Sequence, residues 1–399
     1  MKWKNKGCEF DELGKLFLKN NKILILGEKE TTLKIKEELD FLDSTVECGE
    51  YGFIKHFLSI LFGGMKKTII IANDNRKILN KLLKIRGVEF NKNVFFASEF
   101  LKKYLSVFAL YVCDKVYSGI GTCIVITTHC TLNCKYCLNL SPYIKNKSHR
   151  DFEELKKDMD IFFSCVDRVK YFSLTGGEPM LHPKYKELIE YVNKNYRHKI
   201  WEFGTVANGT MVPSDEVLMT LKNCKVELVC NDYAKSVASS SKEIFEQLVQ
   251  KCSEFGLNYK AFAITRFGKF FPPKNDYTKH SEEQLNGKFN KCKNYYSGHE
   301  IKNGKLYSCC YSGFANTANV VNATESDYYD LNTQNNYPRK RELVEFKLDY
   351  NEKGYVEFCK YCNGFPSINN EFDEIEGGGV TQIKKGEFLE WNIESPTYL

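Results

Sequence analysis

The chain has 399 residues, 43% of them hydrophobic and 27% charged, which is typical of a globular protein with two or three domains. The formal net charge is +6, without a basic stripe and interleaved aromatic residues, so we expect no nucleic-acid partner. No apolar run reaches the roughly 18 residues that a membrane span needs. The nearest, at 53–64, predicts a buried helix. With no secretory h-region at the start, we expect a cytoplasmic protein and no membrane partner.

Cysteine content is the most informative part of the composition, since the sequence contains 16 cysteines. In a reducing compartment this number favours metal ligands or catalytic thiols over a disulfide network. The densest group lies in "THCTLNCKYCLNL", which places Cys130, Cys134 and Cys137 within eight residues. Three thiolates are one fewer than a closed tetrahedral zinc site uses. The loop therefore predicts a metal centre with one open position.

Residues 1–115 are predicted to form a small α/β accessory domain of Rossmann-like type. Aliphatic runs predict buried strands, and Leu33, Ile35 and Leu39 have helical spacing. The predicted strands are "KILILGE" at 22–28, "KKTIIIAND" at 66–74 and "NVFFAS" at 93–98. The first strand is not followed by a G-x-G-x-x-G pattern. We therefore expect a structural or docking role and no dinucleotide site.

Residues 116–285 are predicted to form a second domain in which strands and helices alternate regularly. The strands are "CIVITT" at 123–128, "VKYFSLT" at 169–175, "KIWEFGTVA" at 199–207, "KVELVCN" at 225–231 and "YKAFAIT" at 259–265. Five successive βα units predict a parallel sheet, either open or curved into part of a barrel. Active sites on such sheets lie beyond the carboxyl ends of the strands. Because the cysteine loop follows the first strand, we expect it to be catalytic.

The regular alternation stops near residue 286. Residues 286–375 are predicted to form a small metal-stapled domain with short, turn-rich segments. Its cysteines are Cys292, Cys309, Cys310, Cys359 and Cys362. Residues 376–399 are expected to form a tail that supplies a final strand or a covering segment.

The spacing Cys130-x3-Cys134-x2-Cys137 resembles the signature of the radical S-adenosylmethionine (SAM) superfamily. The resemblance implies a partial (β/α)6 TIM-like barrel and a [4Fe–4S] cluster on these cysteines, with one iron free to bind SAM. It also implies reductive cleavage of SAM to a 5′-deoxyadenosyl radical, with a reductant such as flavodoxin or ferredoxin. The residues themselves leave one alternative, which is a zinc site completed by His129.

Further segments at the ends of later strands resemble the SAM-binding segments of this superfamily. "TGGEP" at 175–179 looks like the segment that binds the SAM amino group, with glycines that allow close backbone approach and an acceptor at Glu178. Each segment taken alone is compatible with a simple turn. The cofactor-binding residues that the resemblance implies are Tyr136, Thr175, Gly176, Gly177, Glu178, Pro179, Asn208, Asn231 and Asp232.

The carboxy-terminal cysteines resemble a SPASM-type auxiliary module in its shortened form, the twitch domain. The spacing from Cys292 to Gly304 and Cys309 matches the opening of the module, and no cysteine follows Cys362. The resemblance implies a second [4Fe–4S] cluster, with Cys310 as a rival for Cys309 and a zinc site as the alternative. The implied ligands are Cys292, Cys309, Cys359 and Cys362.

The ligand count is similar to that of 2-deoxy-scyllo-inosamine dehydrogenase and related carbohydrate-modifying enzymes. This implies oxidation of an alcohol in a sugar, nucleotide-sugar or aminocyclitol, with the second cluster as electron acceptor. Arg266, at the end of the fifth strand, is a candidate to anchor a carboxylate or to act near the hydroxyl proton, and an ordinary surface or SAM-binding arginine is the alternative. One alternative is a redox-neutral epimerase with Cys310 or Cys230 as hydrogen donor. Another is a peptide maturase. The remaining cysteines, Cys123 among them, are mostly expected to be packing residues.

Overall fold

The computed structural model describes residues 1–49, 66–85, 87–237, 240–292, 298–332, 336–376 and 378–391. The buried helix predicted at 53–64 lies outside these residues. Within the described part of the chain, no helix combines the length and apolar character needed to cross a membrane.

The first hundred residues contain a four-stranded parallel sheet in the order β2-β1-β3-β4. Strand β1 is aliphatic on both faces because both faces are covered. Ile23 and Ile25 pack into one hydrophobic cluster, and Leu24 and Leu26 pack into another. The strands are β1 (Lys22–Leu26), β2 (Val46–Gly49), β3 (Lys67–Ile71) and β4 (Val94–Phe96), and the helices around them are α1 (Asp11–Lys19), α2 (Lys29–Glu38), α3 (Arg76–Leu82) and α4 (Leu105–Cys113).

The middle of the chain forms a larger sheet. All five predicted strands are confirmed as β6 to β10, which lie side by side and are parallel. The strands are β5 (Tyr117–Ser118), β6 (Thr122–Thr127), β7 (Arg168–Gly176), β8 (Ile200–Ala207), β9 (Glu227–Asp232) and β10 (Tyr259–Ala263). The connecting helices are α5 (Phe152–Cys165), α6 (Tyr185–Tyr196), α7 (Asp215–Asn223) and α8 (Ser240–Glu254). Ser214 caps α7 by accepting the Val217 N–H, a role for which serine is strongly preferred.

Part of the carboxy-terminal region joins this same sheet. Strand β12 pairs in parallel with β6, and β13 and β14 extend the sheet with antiparallel pairing. The predicted domain boundary at 285/286 therefore separates strands that belong to one nine-stranded sheet. The remaining elements are β11 (Phe267–Gly268), α9 (Glu282–Cys292), β12 (His299–Lys302), β13 (Lys305–Tyr307), α10 (Cys310–Thr317), β14 (Tyr328–Asp330), α11 (Tyr337–Lys347) and β15 (Phe372–Asp373), which pairs with β11.

Strand alternation separates the core from the site. On β7, Phe172 and Leu174 are fully buried in the main hydrophobic cluster. Tyr171, Ser173 and Thr175 alternate with them and line a cleft. Because successive side chains of a strand point to opposite faces, one strand supplies both the packing against the helices and the polar wall of the cleft.

Candidate functional site

The cysteine loop opens onto a large cleft. Cys130, Cys134 and Cys137 all line this space, which has a volume of about 1300 Å³ and is open to solvent. Asn208, after β8, and Asn231, near the end of β9, line it as well. The loop and both asparagines lie at the carboxyl ends of neighbouring parallel strands, which is where active sites of such sheets are found.

Asn208 connects the end of β8 to the cysteine loop. Its side-chain amide donates to the Cys130 sulfur (3.4 Å) and to the Thr131 hydroxyl (2.8 Å). Its own oxygen accepts from the backbone and the hydroxyl of Thr210. A hydrogen bond donated to sulfur favours the thiolate, which is the form of cysteine that binds metals.

The tail also reaches this loop. The side-chain amide of Gln382 donates to the Cys134 sulfur at 3.0 Å, and Cys134 and Gln382 form a β-bridge. The Lys135 N–H donates to the Thr381 carbonyl (2.8 Å) on one side of this bridge. Residues 381–383 therefore hold the loop through both backbone and side-chain contacts. The sequence predicted a final strand or a covering segment here, without any link to the cysteines.

The two glycines of "TGGEP" allow this segment to pack closely against the cysteine loop. The Gly177 N–H donates to the Thr127 carbonyl at 2.9 Å. A Cβ on Gly177 would collide with the His129 carbonyl, and a Cβ on Gly176 would collide with that of Thr127. We predicted that these glycines allow approach to SAM. They do line the cleft, but the steric restriction comes from the chain itself.

Glu178 has a different position from the predicted one. Its side chain is 0% exposed and does not line the cleft. Its two carboxylate oxygens accept backbone N–H groups, from Asn208 at 2.7 Å and from Met180 at 3.2 Å. Burial raises the pKa of Glu178 to about 7, against the effect of these hydrogen bonds. Glu178 thus connects the ends of β7 and β8, and it lies outside the described lining of the cleft.

Gly177→Ala should therefore damage the cysteine loop itself. The added methyl group pushes the His129 carbonyl away, so we expect the iron bound at this loop to fall several-fold and SAM affinity to fall with it. Anaerobic iron analysis and SAM titration measure both. Gly287→Ala is the matched control, because no atom lies within 4 Å of its Cβ position. Full iron content in Gly177→Ala would show that the segment tolerates a side chain.

Tyr136, Pro179 and Asp232 do not line the cleft. Tyr136 lies between the ammonium groups of Lys135 and Lys269, each 5.6 Å from its ring centre. Pro179 is buried at the start of a short 3-10 helix. The Asp232 carboxylate accepts the N–H of Ala234, two residues later, at 2.7 Å. Of the predicted cofactor-binding residues, the cleft is lined by Thr175, Gly176, Gly177, Asn208 and Asn231.

The three predicted catalytic residues also lie away from the cleft. Arg266 is exposed, with its guanidinium 4.3 Å from the Phe372 ring centre. Cys230 is fully buried and hydrogen-bonds to Cys252 on α8. Cys310 is fully buried in a second hydrophobic cluster. Strand alternation explains Cys230, because Asn231 points into the cleft and its neighbour must point to the helices.

Sequence reasoning missed a thiol that does line the cleft, that of Cys123 on β6. All six residues of β6 are buried, so the apolar pattern could not indicate which of its faces borders the cleft. Burial raises the pKa of Cys123 well above its usual value, with the Glu300 carboxylate adding to the effect. The thiol is therefore protonated. No side chain lining the cleft belongs to a charged residue type, among the residues that the structure describes.

The carboxy-terminal cysteines line a second cavity. Cys309 borders this cavity, whereas its rival Cys310 does not. The cavity is also bordered by His299, Ser308 and Tyr311, and Tyr311 lines the first cleft as well. The four predicted ligands that line it are Cys292, Cys309, Cys359 and Cys362.

Backbone groups around the second cavity are directed at sulfur. The Phe365 N–H donates to the Cys292 sulfur (3.3 Å) and the Gly364 N–H to the Cys362 sulfur (3.1 Å). The Lys288 ammonium donates to the Cys359 carbonyl (2.8 Å) and to the Cys362 carbonyl. These contacts fix the positions of the cysteines, and the N–H donors suit thiolates.

Both cysteine sets fit an iron–sulfur cluster, in which each thiolate binds a different iron and the sulfur atoms need not converge on one point. Among the described residues, no three His, Cys, Asp or Glu side chains are arranged around a single metal ion. The ring of His129, the histidine considered as a zinc ligand, stacks on His149 with centroids 4.4 Å apart.

Residues 124–262 match the sequence model of the Radical SAM superfamily. The match begins in β6, includes the cysteine loop, and ends in β10. Residues 124–262 are a radical SAM domain. The superfamily predicted from the cysteine spacing is thereby confirmed, and it implies a [4Fe–4S] cluster and SAM. In this radical SAM domain, Cys130, Cys134 and Cys137 are the residues that would hold the cluster.

Similarity to individual proteins is partial. The chain is 30% identical over 121 residues to the antilisterial bacteriocin subtilosin biosynthesis protein AlbA of Bacillus subtilis, which is 30% of this chain and 25% of AlbA. SuiB of Streptococcus suis bound to S-adenosylmethionine aligns at 16% identity and a TM-score of 0.29, covering 49% of this chain and 42% of SuiB. BtrN in complex with AdoMet and 2-DOIA aligns at 15% identity and a TM-score of 0.40, covering 63% of this chain and 94% of BtrN. At these TM-scores the structural likeness supports no functional conclusion.

Proposed function

We propose that the protein is a radical SAM enzyme that oxidises an alcohol in a phosphate-free, carbohydrate-type substrate, with a second [4Fe–4S] cluster as electron acceptor. The observation that carries the proposal is the presence of two separate cysteine sets, each lining its own cavity. Tyr311 borders both cavities and so lies between the two centres. Two centres in such an arrangement suit a reaction that takes up one electron at the first centre and releases one at the second.

At the first centre, the side chains of this protein hold the cysteine loop and orient the substrate. Asn208 and Gln382 hold the cysteine loop through their bonds to the sulfur atoms of Cys130 and Cys134. When bound there, the cluster and SAM supply a 5′-deoxyadenosyl radical, given one electron from a flavodoxin- or ferredoxin-type reductant. The uncharged polar side chains of the cleft, such as Ser173 and Thr175, would orient the substrate so that a C–H bond faces that radical.

The second centre accounts for the remaining electron. Loss of a hydrogen atom from the carbinol carbon, followed by loss of the hydroxyl proton and one electron, gives a carbonyl. The proton leaves through the solvent-open cleft, and the electron is accepted at the group held by the carboxy-terminal cysteines. With four thiolates of the chain around that cavity, no iron of a [4Fe–4S] cluster would remain for the substrate. This favours electron acceptance over substrate binding.

The charge of the cleft supports a substrate without phosphate groups. Phosphate groups are bound in proteins by Arg, Lys or helix N-termini, and the described lining of this cleft contains no Arg or Lys. Hydroxyl groups pair well with the hydroxyls of Tyr171 and Ser173 and with the amide of Asn231. A free sugar or an aminocyclitol therefore fits the cleft better than the diphosphate of a nucleotide-sugar.

A second candidate is peptide modification. It is favoured by the similarity to AlbA, whose name assigns it to the biosynthesis of a bacteriocin. A redox-neutral epimerisation is favoured by one different observation, the protonated Cys123 thiol in the cleft. Such a thiol is placed to return a hydrogen atom to a substrate radical, whereas Cys230 and Cys310 are not.

The mass of the product separates these candidates. We expect that anaerobic turnover in heavy water with SAM, a reductant and a panel of neutral sugars and aminocyclitols gives a product lighter by two hydrogens. It should form in step with 5′-deoxyadenosine, because each hydrogen abstraction consumes one SAM. Mass spectrometry and chromatography measure both.

Two other outcomes would contradict this proposal. A product that gains one deuterium, and is lost in Cys123→Ser but retained in the control Cys230→Ser, would establish epimerisation. Turnover of a peptide panel with no change in any sugar or aminocyclitol would establish peptide modification.

A further inference from the structure

We propose that His299 and Ser308 donate hydrogen bonds to the sulfur atoms of the auxiliary cluster and thereby raise its reduction potential, an inference that rests on the function proposed above. Neither residue was singled out by its sequence context. Both lie in the wall of the cavity that the four carboxy-terminal cysteines line.

The observations are stronger for His299 than for Ser308. It is the first residue of β12 and is 0% exposed. Neither ring nitrogen forms a hydrogen bond with any described residue. The Gly121 carbonyl, which accepts the His299 backbone N–H at 3.0 Å, also lies near the ring. A neutral imidazole always carries one N–H donor, so the ring contributes one donor to the wall of the cavity.

Ser308 brings a second unused donor from a different element. It follows β13 and directly precedes Cys309. Its side chain is 6% exposed, and its hydroxyl has no hydrogen-bond partner among the described residues. Its backbone N–H donates to the Asp327 carbonyl at 3.0 Å, so the position of the residue is fixed while the hydroxyl is free to rotate toward the cavity.

Buried polar groups in folded proteins are almost always paired. Two unpaired donors that border one cavity therefore point to acceptors within it. The cavity also contains Lys288, but its ammonium is already bound to the carbonyls of Cys359 and Cys362. The acceptors that the cysteine set implies are the sulfur atoms of a cluster. N–H···S and O–H···S bonds stabilise the more negative, reduced state, and so they raise the potential.

This effect matches the role assigned to the second centre. An acceptor must take an electron from a substrate radical, and a higher potential makes that transfer more favourable. Without donors at His299 and Ser308, the cluster would be harder to reduce.

The test measures the auxiliary cluster alone. In the full-length chain carrying Cys130→Ala, Cys134→Ala and Cys137→Ala, only the second centre remains to be reconstituted under anaerobic conditions. In this background we compare Ser308→Ala, His299→Leu and the donor-retaining His299→Gln. The exposed His198→Ala is the control. Redox titration followed by electron paramagnetic resonance gives the midpoint potential, and 15N-histidine labelling reports magnetic coupling of the ring to the cluster.

We expect Ser308→Ala and His299→Leu to shift the midpoint potential to more negative values. His299→Gln should stay nearer the parent, and His198→Ala should match it. The 15N coupling should disappear in His299→Leu. An intact cluster with unchanged potentials in Ser308→Ala and His299→Leu overturns this inference and leaves the proposed function standing. If His299→Leu does not fold, the potential of Ser308→Ala and the 15N coupling in the parent decide whether the inference holds. Absence of any second cluster in the parent overturns the proposed function itself.

Discussion

Replacing Cys130, Cys134 and Cys137 together by alanine is expected to abolish SAM cleavage. These three thiols are the residues that would hold the cluster of the radical SAM domain, and all three line the cleft. Without thiolate ligands the cluster cannot be retained. We also expect the iron and sulfide content to fall by about half, since the second set of four cysteines is unchanged. Anaerobic iron and sulfide analysis and chromatography of 5′-deoxyadenosine measure both effects.

The matched control removes three other cysteines, Cys8, Cys48 and Cys113, which are partly exposed and lie in the first part of the chain. This variant should keep full iron content and full SAM cleavage. If 5′-deoxyadenosine still formed after loss of the loop cysteines, the assignment of the cleft as the SAM site would be wrong.

Replacing Cys359 and Cys362 by serine is expected to stop product formation while SAM is still cleaved. Both cysteines border the second cavity, the Lys288 ammonium donates to their backbone carbonyls, and the Gly364 N–H donates to the Cys362 sulfur. Their loss removes the electron acceptor and leaves the first centre intact. Each SAM cleaved should then yield 5′-deoxyadenosine without oxidised product. The ratio of the two compounds, measured in one anaerobic reaction, gives the result.

Cys310→Ser is the matched control for this experiment, because Cys310 is adjacent to a predicted ligand but lies outside the cavity. It should retain the second cluster, whereas Cys309→Ser should lose it. The reverse pattern would exchange these two residues in the ligand set. Undiminished product from the Cys359→Ser, Cys362→Ser variant would show that the second centre does not accept the electron.

The strands of the fold could be predicted because each is a short aliphatic run between turns. "KILIL" of β1 and "CIVIT" of β6 are buried on both faces, which is the pattern that parallel strands require. Strands β12 to β14 could not be predicted in the same way. They are three or four residues long, and β12 pairs with β6, which lies far away in the sequence.

The site could be predicted where it is local in sequence. The cysteine loop was predicted from its spacing and Thr175 to Gly177 from the resemblance of "TGGEP" to a superfamily segment, and the structure brings them to one cleft. The direction of individual side chains could not be predicted in strands that are apolar throughout. Cys230 and Cys123 show this, because the first faces a helix and the second faces the cleft. The buried position of Glu178 could not be predicted, since its polar character gives no indication that its partners are backbone N–H groups.

The contact between Gln382 and Cys134 joins residues that are 248 positions apart, and this separation has a consequence for biogenesis. A ribosome that adds roughly 5 to 20 residues per second exposes the cysteine loop some tens of seconds before residues 381–383 emerge. During this interval Cys134 lacks its amide donor, and Lys135 lacks the backbone acceptor that orders the loop. The loop therefore reaches its final conformation only after residues 381–383 have been translated, and a cluster delivered before that point would meet an incomplete site.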